Sequence, residues 1–154
     1  MVSDGARQLR MLARDLDRAG KELRRELPKA LRDAARPMTE AIVKEALETL
    51  PKRGGFAEYI AKASITVSTR TGVSSASVRL VGRKRKAGSE PQVDLPAVNR
   101  GRLRHPTYGH SPWVTQMVPP GFWDRGVARS AAEVDKRMQE ALDRMRRRIE
   151  QAGI

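Results

Sequence analysis

The side chains that most often carry out chemistry in proteins are scarce in this chain of 154 residues, which contains no Cys and two His. The lack of Cys excludes disulfides, thiolate catalysis and thiolate metal sites. His105 and His110 lie five residues apart, and the carboxylate nearest to them, Asp94, is eleven residues before His105. Because two imidazoles hold a metal ion only with further ligands, this spacing predicts solvated or loop-bracing histidines, not a metal site.

Motifs for nucleophilic, phosphate-binding and two-metal chemistry are also missing. No Ser lies in a Gly-flanked elbow, and no Gly-rich loop ends in Lys-Ser or Lys-Thr. Residues 51–110 contain three acidic side chains, too few to indicate a two-metal nuclease centre. The sequence therefore predicts a protein that is not an enzyme and uses no cofactor or metal ion.

Basic side chains are the most abundant functional groups. Lys and Arg number 31 against 18 Asp and Glu, a net charge of +13, and residues 51–110 hold 12 basic and 3 acidic side chains. This balance favours an acidic partner such as nucleic acid or an acidic protein. One candidate contact for DNA or an acidic partner is a basic loop formed by Arg83, Lys84, Arg85 and Lys86. A second basic group, Arg100, Arg102 and Arg104, either binds phosphates or forms salt bridges between subunits.

The elements that position these residues begin with a helical region over residues 1–50. Apolar residues recur at spacings of three and four from Leu9 to Leu50, which predicts an amphipathic helix. Because proline removes a backbone donor and clashes with the preceding turn, we expect a kink or break near Pro28 and near Pro37. So long an apolar stripe must either fold back on itself or pack against other chains.

The central region, residues 51–121, changes to the period of two that is typical of strands. Alternating residues at 65–70 and 76–80 flank a Gly-containing turn and predict a β-hairpin. Residues 90–112 contain four prolines and predict an ordered loop or a strand-poor connection and not a helix, whereas residues 113–118 predict a further strand. We expect a small antiparallel β-sheet of three or four strands.

The last region, residues 122–154, predicts an amphipathic helix over residues 124–151. Its apolar face has no aromatic residues and its polar face carries acids, which disfavours a membrane-surface role. No apolar stretch is long enough to cross a bilayer, and the first residues lack the apolar segment of a secretory leader. We therefore expect a single α+β domain over residues 1–154, made in a cytoplasm.

Assembly into an oligomer accounts for most of these features. Aromatic residues make up 4% of the chain, so the core is modest and burial between subunits would add to it. The edges of a thin sheet need pairing or cover. The segment Leu95–Pro112 is stiffened by proline and rich in Arg, which suits docking against a neighbouring subunit.

Two segments between Leu95 and Trp123 resemble a family of tailed-phage structural proteins. The first contains Gly101, Arg102, Leu103, Arg104, His105 and Pro106 and ends in Tyr108 and Gly109. The second runs from Trp113 and Val114 through Gln116 to Pro119, Pro120, Gly121, Phe122 and Trp123. The family is the tail-completion or tail-component family of the head–tail junction. Its members in phages of GC-rich hosts have a long N-terminal helix, these two segments and a C-terminal helix in the same order.

The resemblance implies an α+β virion protein without enzymatic activity that forms a ring of six subunits in the phage neck. Such a ring joins the head to the tail and leaves a channel through which the genomic DNA passes. The implied partners are further copies of the chain and the adjacent neck proteins, on the head-closure or connector side and on the tail-terminator or tail-tube side.

The same resemblance implies roles for individual residues. The residues expected at the subunit or partner interface are Arg100, Arg102, Arg104, His105, Tyr108, Trp113, Phe122 and Trp123. Four of these would brace the loop against a neighbour, namely Arg102, Arg104, His105 and Tyr108. The aromatic residues Trp113, Phe122 and Trp123 would lock it to the core. The basic loop that begins at Arg83 has no fixed counterpart in the family, so its target is either DNA or an acidic patch on an adjacent ring.

A second function also fits the composition, namely a dimeric, basic accessory protein that binds DNA through its central region. Phosphate contacts make the affinity for DNA fall steeply with salt, whereas assembly through apolar stripes weakens much less. The two functions therefore predict different effects of salt concentration on binding and assembly.

Overall fold

The computed structural model describes residues 7, 11–12, 14–15, 21–71, 76–83, 93–107 and 110–151. Its longer helices are α1 (Lys21–Ala34), α2 (Arg36–Thr49), α3 (Phe56–Ala61), α4 (Leu95–Asn99) and α5 (Phe122–Gln151). Its strands are β1 (Ser64–Thr71), β2 (Ala76–Arg83), β3 (Arg102–Thr107) and β4 (His110–Met117). The fold is α+β, with a bent N-terminal helical region and a long C-terminal helix, which confirms the predicted class.

Proline interrupts the N-terminal helical region at one of the two expected places. The helices α1 and α2 are separated by Ala35 alone, and Pro37 lies in the first turn of α2, where its missing N–H costs little. There is no break at Pro28, because α1 continues through this residue, and a kink there stays a prediction. Its neighbours Leu27 and Leu31 are fully buried, so packing outweighs the lost backbone hydrogen bond.

The chain forms two compact units, which are described separately. The first consists of Met1–Pro37, Val67–Val81 and Ala132–Ile154. Its buried apolar cluster consists of Leu12, Leu27, Leu31, Leu142, Met145 and Ile149. These residues recur at helical spacing, as the sequence predicts. An ion pair between Arg148 and Glu26 borders this cluster. The organisation of residues 1–154 as one domain stays a prediction.

The second unit consists of Met38–Thr66 and Gly82–Ala131. Within it α2 and the start of α5 pack with their backbones in contact, because Gly126 has no side chain. A Cβ added to Gly126 would lie 2.6 Å from the Cα of Ile42. One turn later the buried Ser130 hydroxyl donates a hydrogen bond to the carbonyl of Gly126, at 2.8 Å. Small residues at positions 126 and 130 thus allow this close approach.

A buried carboxylate joins the same two helices. Glu45 is 1% exposed, and its Oε2 accepts a hydrogen bond from Nε of Arg125 at 3.0 Å. Arg129 forms an ion pair with Oε1 of Glu45 and, at 3.4 Å, with Glu48. The contact between Arg129 and Oε1 does not have hydrogen-bond geometry, so this oxygen has no hydrogen-bond donor among the described residues. Coulomb attraction to two guanidiniums therefore offsets the cost of burying Glu45.

The strands form two separate sheets of two strands, β1 with β2 and β3 with β4, within the part of the chain that the structure describes. The expectation of one sheet with three or four strands is therefore wrong. Only four residues connect β1 to β2, which is too short for the crossover that parallel strands require, so this pair is an antiparallel hairpin as predicted.

The proline-rich segment 90–112 is more regular than the sequence suggests. The expectation of a loop without helix is wrong, because the segment contains α4 and β3. Pro96 lies in the first turn of α4, where proline is tolerated, and Asp94 caps this helix. Pro106 lies in a two-stranded sheet, in which each strand has an edge that needs no donor. None of the helices in the described ranges is long and apolar enough to cross a membrane.

Candidate docking site

Helix α4 anchors the segment between Leu95 and Trp123. The side-chain Oδ1 of Asp94 accepts a hydrogen bond from the Ala97 amide at 3.2 Å and so caps the helix. Leu95 and Val98 are buried and hold α4 in the second unit. These contacts hold α4 in place, and β3 begins three residues after its end.

Asn99, the last residue of α4, connects this helix to the start of α5. Its carbonyl accepts a hydrogen bond from the Gly121 amide at 2.7 Å, and its Oδ1 accepts one from the Trp123 amide at 2.9 Å. Its Nδ2 donates to Oδ2 of Asp124 at 2.9 Å. Gly121 has φ +84° and no side chain that could cap α5, so Asn99 supplies the cap from a different helix.

The β3–β4 hairpin brings the two halves of the sequence motif together. Its open end is closed by the Val118 amide, which donates to the carbonyl of Gly101 at 3.0 Å. The register places Arg102 opposite Met117 and Arg104 opposite Thr115. Because residues two apart along a strand face the same side, both arginines lie on one face of the hairpin.

Trp113 lies on this same face, opposite Pro106. The guanidinium carbon of Arg104 is 5.5 Å from the centroid of the Trp113 ring, a cation–π contact. The contact holds the Arg104 side chain across the hairpin, so its charge is presented beside an exposed aromatic ring.

Strand β4 is exposed from Ser111 to Met117. The side chains of Trp113, Val114 and Met117 are 52%, 40% and 71% exposed. They belong to both faces of the hairpin, since Val114 pairs with His105 and Met117 with Arg102. Large apolar side chains are therefore in contact with water on both sides of a sheet of two strands.

A groove of about 500 Å³ lies between α4 and the hairpin. Four of the predicted interface residues line it, namely Arg100, Arg102, Arg104 and Trp113. All three arginines are exposed. The structure thus gathers one cluster of positive charge around an aromatic ring, with the buried side of α4 as the floor of the groove.

The other predicted interface residues have different surroundings. Phe122 is 2% exposed and therefore buried, and His105 is half-buried, with Nδ1 3.2 Å from the carbonyl of Pro106. A role of Phe122 at a subunit interface stays a prediction. The ring of Trp123 packs against Gly82, where an added Cβ would lie 2.6 Å from it. The expectation that Trp113 locks the loop to the core is wrong, because no element of the second unit covers β4 among the described residues.

Four residues of the predicted sites lie outside the described residues: Lys84, Arg85, Lys86 and Tyr108. Arg83, the first residue of the basic loop, ends β2 and is exposed. A contact of this loop with DNA or with an acidic partner stays a prediction.

Sequence reasoning did not single out Asn99, Val114 or Met117. A signal for the last two exists, because apolar residues at both odd and even positions of a strand are typical of a strand covered on both faces. No signal marks Asn99, since its three hydrogen-bond partners lie more than twenty residues further along the chain.

Comparison with known protein families, characterised proteins and solved structures finds no match for this chain. Within the described ranges, no three acidic or histidine side chains converge on a point that could hold a metal ion. The geometry of the hairpin and groove is therefore the basis for a functional proposal.

Proposed function

We propose that this protein is a non-catalytic structural subunit that assembles through its β3–β4 hairpin, in the neck of a tailed phage. In this role, copies of the chain form a ring of six at the head–tail junction of the virion. The ring contacts the neighbouring neck proteins on its head and tail sides, and the genomic DNA passes through its channel. The observation that carries the proposal is the exposed apolar surface of β4.

The energetics of the hairpin support a role in assembly. A hairpin of two strands is at best marginally stable in water, and an exposed strand edge is a template for pairing with another chain. Here Trp113, Val114 and Met117 expose apolar surface next to that edge. Burial of such a patch against a partner would contribute roughly 25 cal/mol per Å² of apolar surface. Folded monomers seldom expose this combination unless it binds something.

The assignment to the phage neck rests on the sequence motif. The residues of that motif, from Leu95 to Trp123, are the same residues that build α4, the hairpin and the start of α5. The resemblance to tail-completion proteins and the exposed hairpin thus concern one continuous part of the chain. Both support docking of this part against another subunit.

The first test is the mass of the purified protein by light scattering. We expect a discrete ring for the native chain and a smaller species for the double variant Val114→Thr/Met117→Thr, which removes apolar surface without lowering strand propensity. A matched control is Leu47→Gln, because Leu47 is an exposed apolar residue on α2, away from the hairpin. Its variant should keep the mass of the native chain.

The second test is made in the phage or prophage that encodes the protein. Loss of the protein should leave filled heads and separate tails in electron micrographs, and the hairpin variant should fail to restore joined particles. Normal yields of infectious particles without the protein would overturn the proposal.

DNA binding is the alternative that the same experiments address. Arg100, Arg102 and Arg104 are exposed, and exposed arginines can bind phosphates. If the purified protein is a dimer that moves onto duplex DNA, and if its affinity falls by orders of magnitude from about 50 to 200 mM salt, an accessory DNA-binding protein replaces the neck subunit.

A further inference from the structure

The groove between α4 and the β3–β4 hairpin carries a positive charge that no carboxylate among the described residues pairs with. The sequence contains no Asp or Glu between Asp94 and Asp124. Asp94 itself lines the groove, but its Oδ1 already accepts the hydrogen bond that caps α4. Within the described part of the chain, no carboxylate forms an ion pair with Arg100, Arg102 or Arg104. The groove therefore presents three guanidiniums that can bind anionic groups.

The shape of the site indicates which kind of molecule carries those anionic groups. Arg102 and Arg104 are alternate residues of one strand, so their Cα atoms are about 7 Å apart. Alternate side chains of any extended peptide have the same spacing. Strand β4 pairs with β3 on one side, and among the described residues no strand pairs with its other edge. A peptide added to that edge would run alongside Trp113 and Met117.

We propose that the hairpin and its groove bind an extended, acidic segment of a different protein, which adds a strand to the free edge of β4. Backbone hydrogen bonds to β4 would supply register, and carboxylates at alternate positions would pair with Arg102 and Arg104, for which arginine is suited by its planar, bidentate geometry. Apolar side chains at the intervening positions of the segment would lie on the opposite face, beside Val114. The inference rests on the proposed function, in which that protein is an adjacent component of the neck.

A second copy of this chain is a poor source of the added strand. The four strands of the structure contain no Asp or Glu and carry five arginines, at positions 70, 79, 83, 102 and 104. Like charges on adjacent strands are destabilising. A second copy therefore does not supply the added strand, and Arg102 and Arg104 are left for a partner of opposite charge.

Nucleic acid suits this face less well than an acidic protein. One face of the Trp113 ring is already in contact with Arg104, which hinders base stacking on that face. Met117, on the same face, is apolar and offers nothing to a phosphate backbone. A partner that carries both apolar side chains and carboxylates satisfies both parts of the surface.

Peptide binding tests this inference on the full-length protein. The probe is a fluorescently labelled synthetic peptide of alternating Glu and Val, and the reference is the same peptide with Lys in place of Glu. We expect saturable binding of the Glu peptide and none of the Lys peptide. The double variant Arg102→Gln/Arg104→Gln should bind the Glu peptide about tenfold more weakly, since each exposed ion pair contributes a factor of a few.

A matched control exists on the other hairpin. Arg70 and Arg79 are exposed arginines on β1 and β2, so Arg70→Gln/Arg79→Gln removes the same charge from a different sheet. This variant should bind the Glu peptide as the native chain does. Equal weakening in both variants would mean that net charge alone attracts the peptide and would overturn the inference. Failure of the native chain to bind the Glu peptide, or stronger binding of labelled DNA at the same arginines, would also overturn it.

The mass measurement separates this inference from the proposed function. If a ring forms and joins heads to tails but the Glu peptide does not bind, the acidic-strand inference fails and the neck function stands. If the peptide binds at Arg102 and Arg104 but loss of the protein leaves phage particles intact, the neck function fails and the binding site stands.

Discussion

Because α2 and α5 are in close contact at Gly126, we predict that a substitution there changes the stability in the direction opposite to the one that helix propensity predicts. Replacing Gly by Ala inside a helix normally stabilises it by about 1 kcal/mol. At Gly126, however, the new Cβ would lie 2.6 Å from Cα, 2.8 Å from N and 2.8 Å from Cγ1 of Ile42. Two of these three atoms belong to the backbone and cannot rotate away. We therefore expect Gly126→Ala to destabilise the protein.

The size of the effect follows from these distances. Carbon atoms pack best at about 3.5–4.0 Å, so the helices would have to separate by roughly 1 Å at this crossing. Overpacking a close contact costs about 1–3 kcal/mol, and a contact with backbone belongs at the upper end of this range. After the gain of about 1 kcal/mol from helix propensity, the free energy of unfolding should fall by about 2 kcal/mol.

Urea unfolding followed by tryptophan fluorescence measures this change in the right part of the molecule. Both Trp residues of the chain, Trp113 and Trp123, lie in the unit that contains Gly126. The urea midpoint should fall while the slope of the transition stays the same.

The matched control is Ala128→Gly, at an exposed position of α5 two residues away. It should cost about 1 kcal/mol through helix propensity alone. Both substitutions should therefore destabilise, although propensity predicts opposite signs for them. A Gly126→Ala protein that is more stable than the native chain would refute the close helix contact.

Three further substitutions test other contacts of the second unit. Glu45→Gln removes the buried charge that faces Arg125 and should lower the free energy of unfolding by about 2 kcal/mol, at the lower part of the range for buried pairs because the guanidinium is 42% exposed and can be hydrated. Asn99→Ala removes the cap of α5 and should cost about 1 kcal/mol, measured by the same unfolding experiment. Gly82→Ala would place a methyl group against the Trp123 ring, so we expect a loss of about 1–3 kcal/mol and a changed fluorescence emission maximum.

Each of these predictions has an outcome that contradicts it. A Glu45→Gln protein as stable as the native chain would mean that the ion pairs contribute nothing net. Asn99→Asp keeps the oxygen acceptor but faces Asp124 with a second carboxylate, so its loss of stability relative to the native chain should be larger at neutral pH than in acid, and a loss that does not change with pH would argue against the contact. An unchanged emission spectrum in Gly82→Ala would argue against the packing of Trp123 on β2.

The helices of this protein are the elements that the sequence predicts best. Residues such as Leu27, Ile42 and Leu142 recur at the spacing of a helix face, and each of them is buried. At Pro28 local chemistry favours a kink or a break, and the fully buried neighbours keep α1 continuous. Whether a helix continues through a proline depends on burial by distant parts of the chain, and a local sequence pattern does not show that burial.

The strands, like the helices, were predicted only as far as local sequence decides them. The alternation at 65–70 and 76–80 identifies β1 and β2 because a hairpin is a local structure whose register follows from its turn. Whether two hairpins join into one sheet depends on contacts between residues far apart in the chain. The structure has two sheets where one was expected. Helix α4 was not predicted, because the prolines of its segment argue against a helix, although proline is tolerated in the first turn.

For the candidate site, the sequence by itself determined the chemistry, and the tertiary structure decided the geometry. Residue types alone establish a cysteine-free, strongly basic protein with arginines at alternate positions 100, 102 and 104. Only the fold brings those arginines around Trp113, leaves β4 exposed and caps α5 with Asn99. The physical reason is that charge and hydrogen-bonding capacity belong to single side chains, whereas exposure and contact are properties of pairs of residues that are distant in the chain.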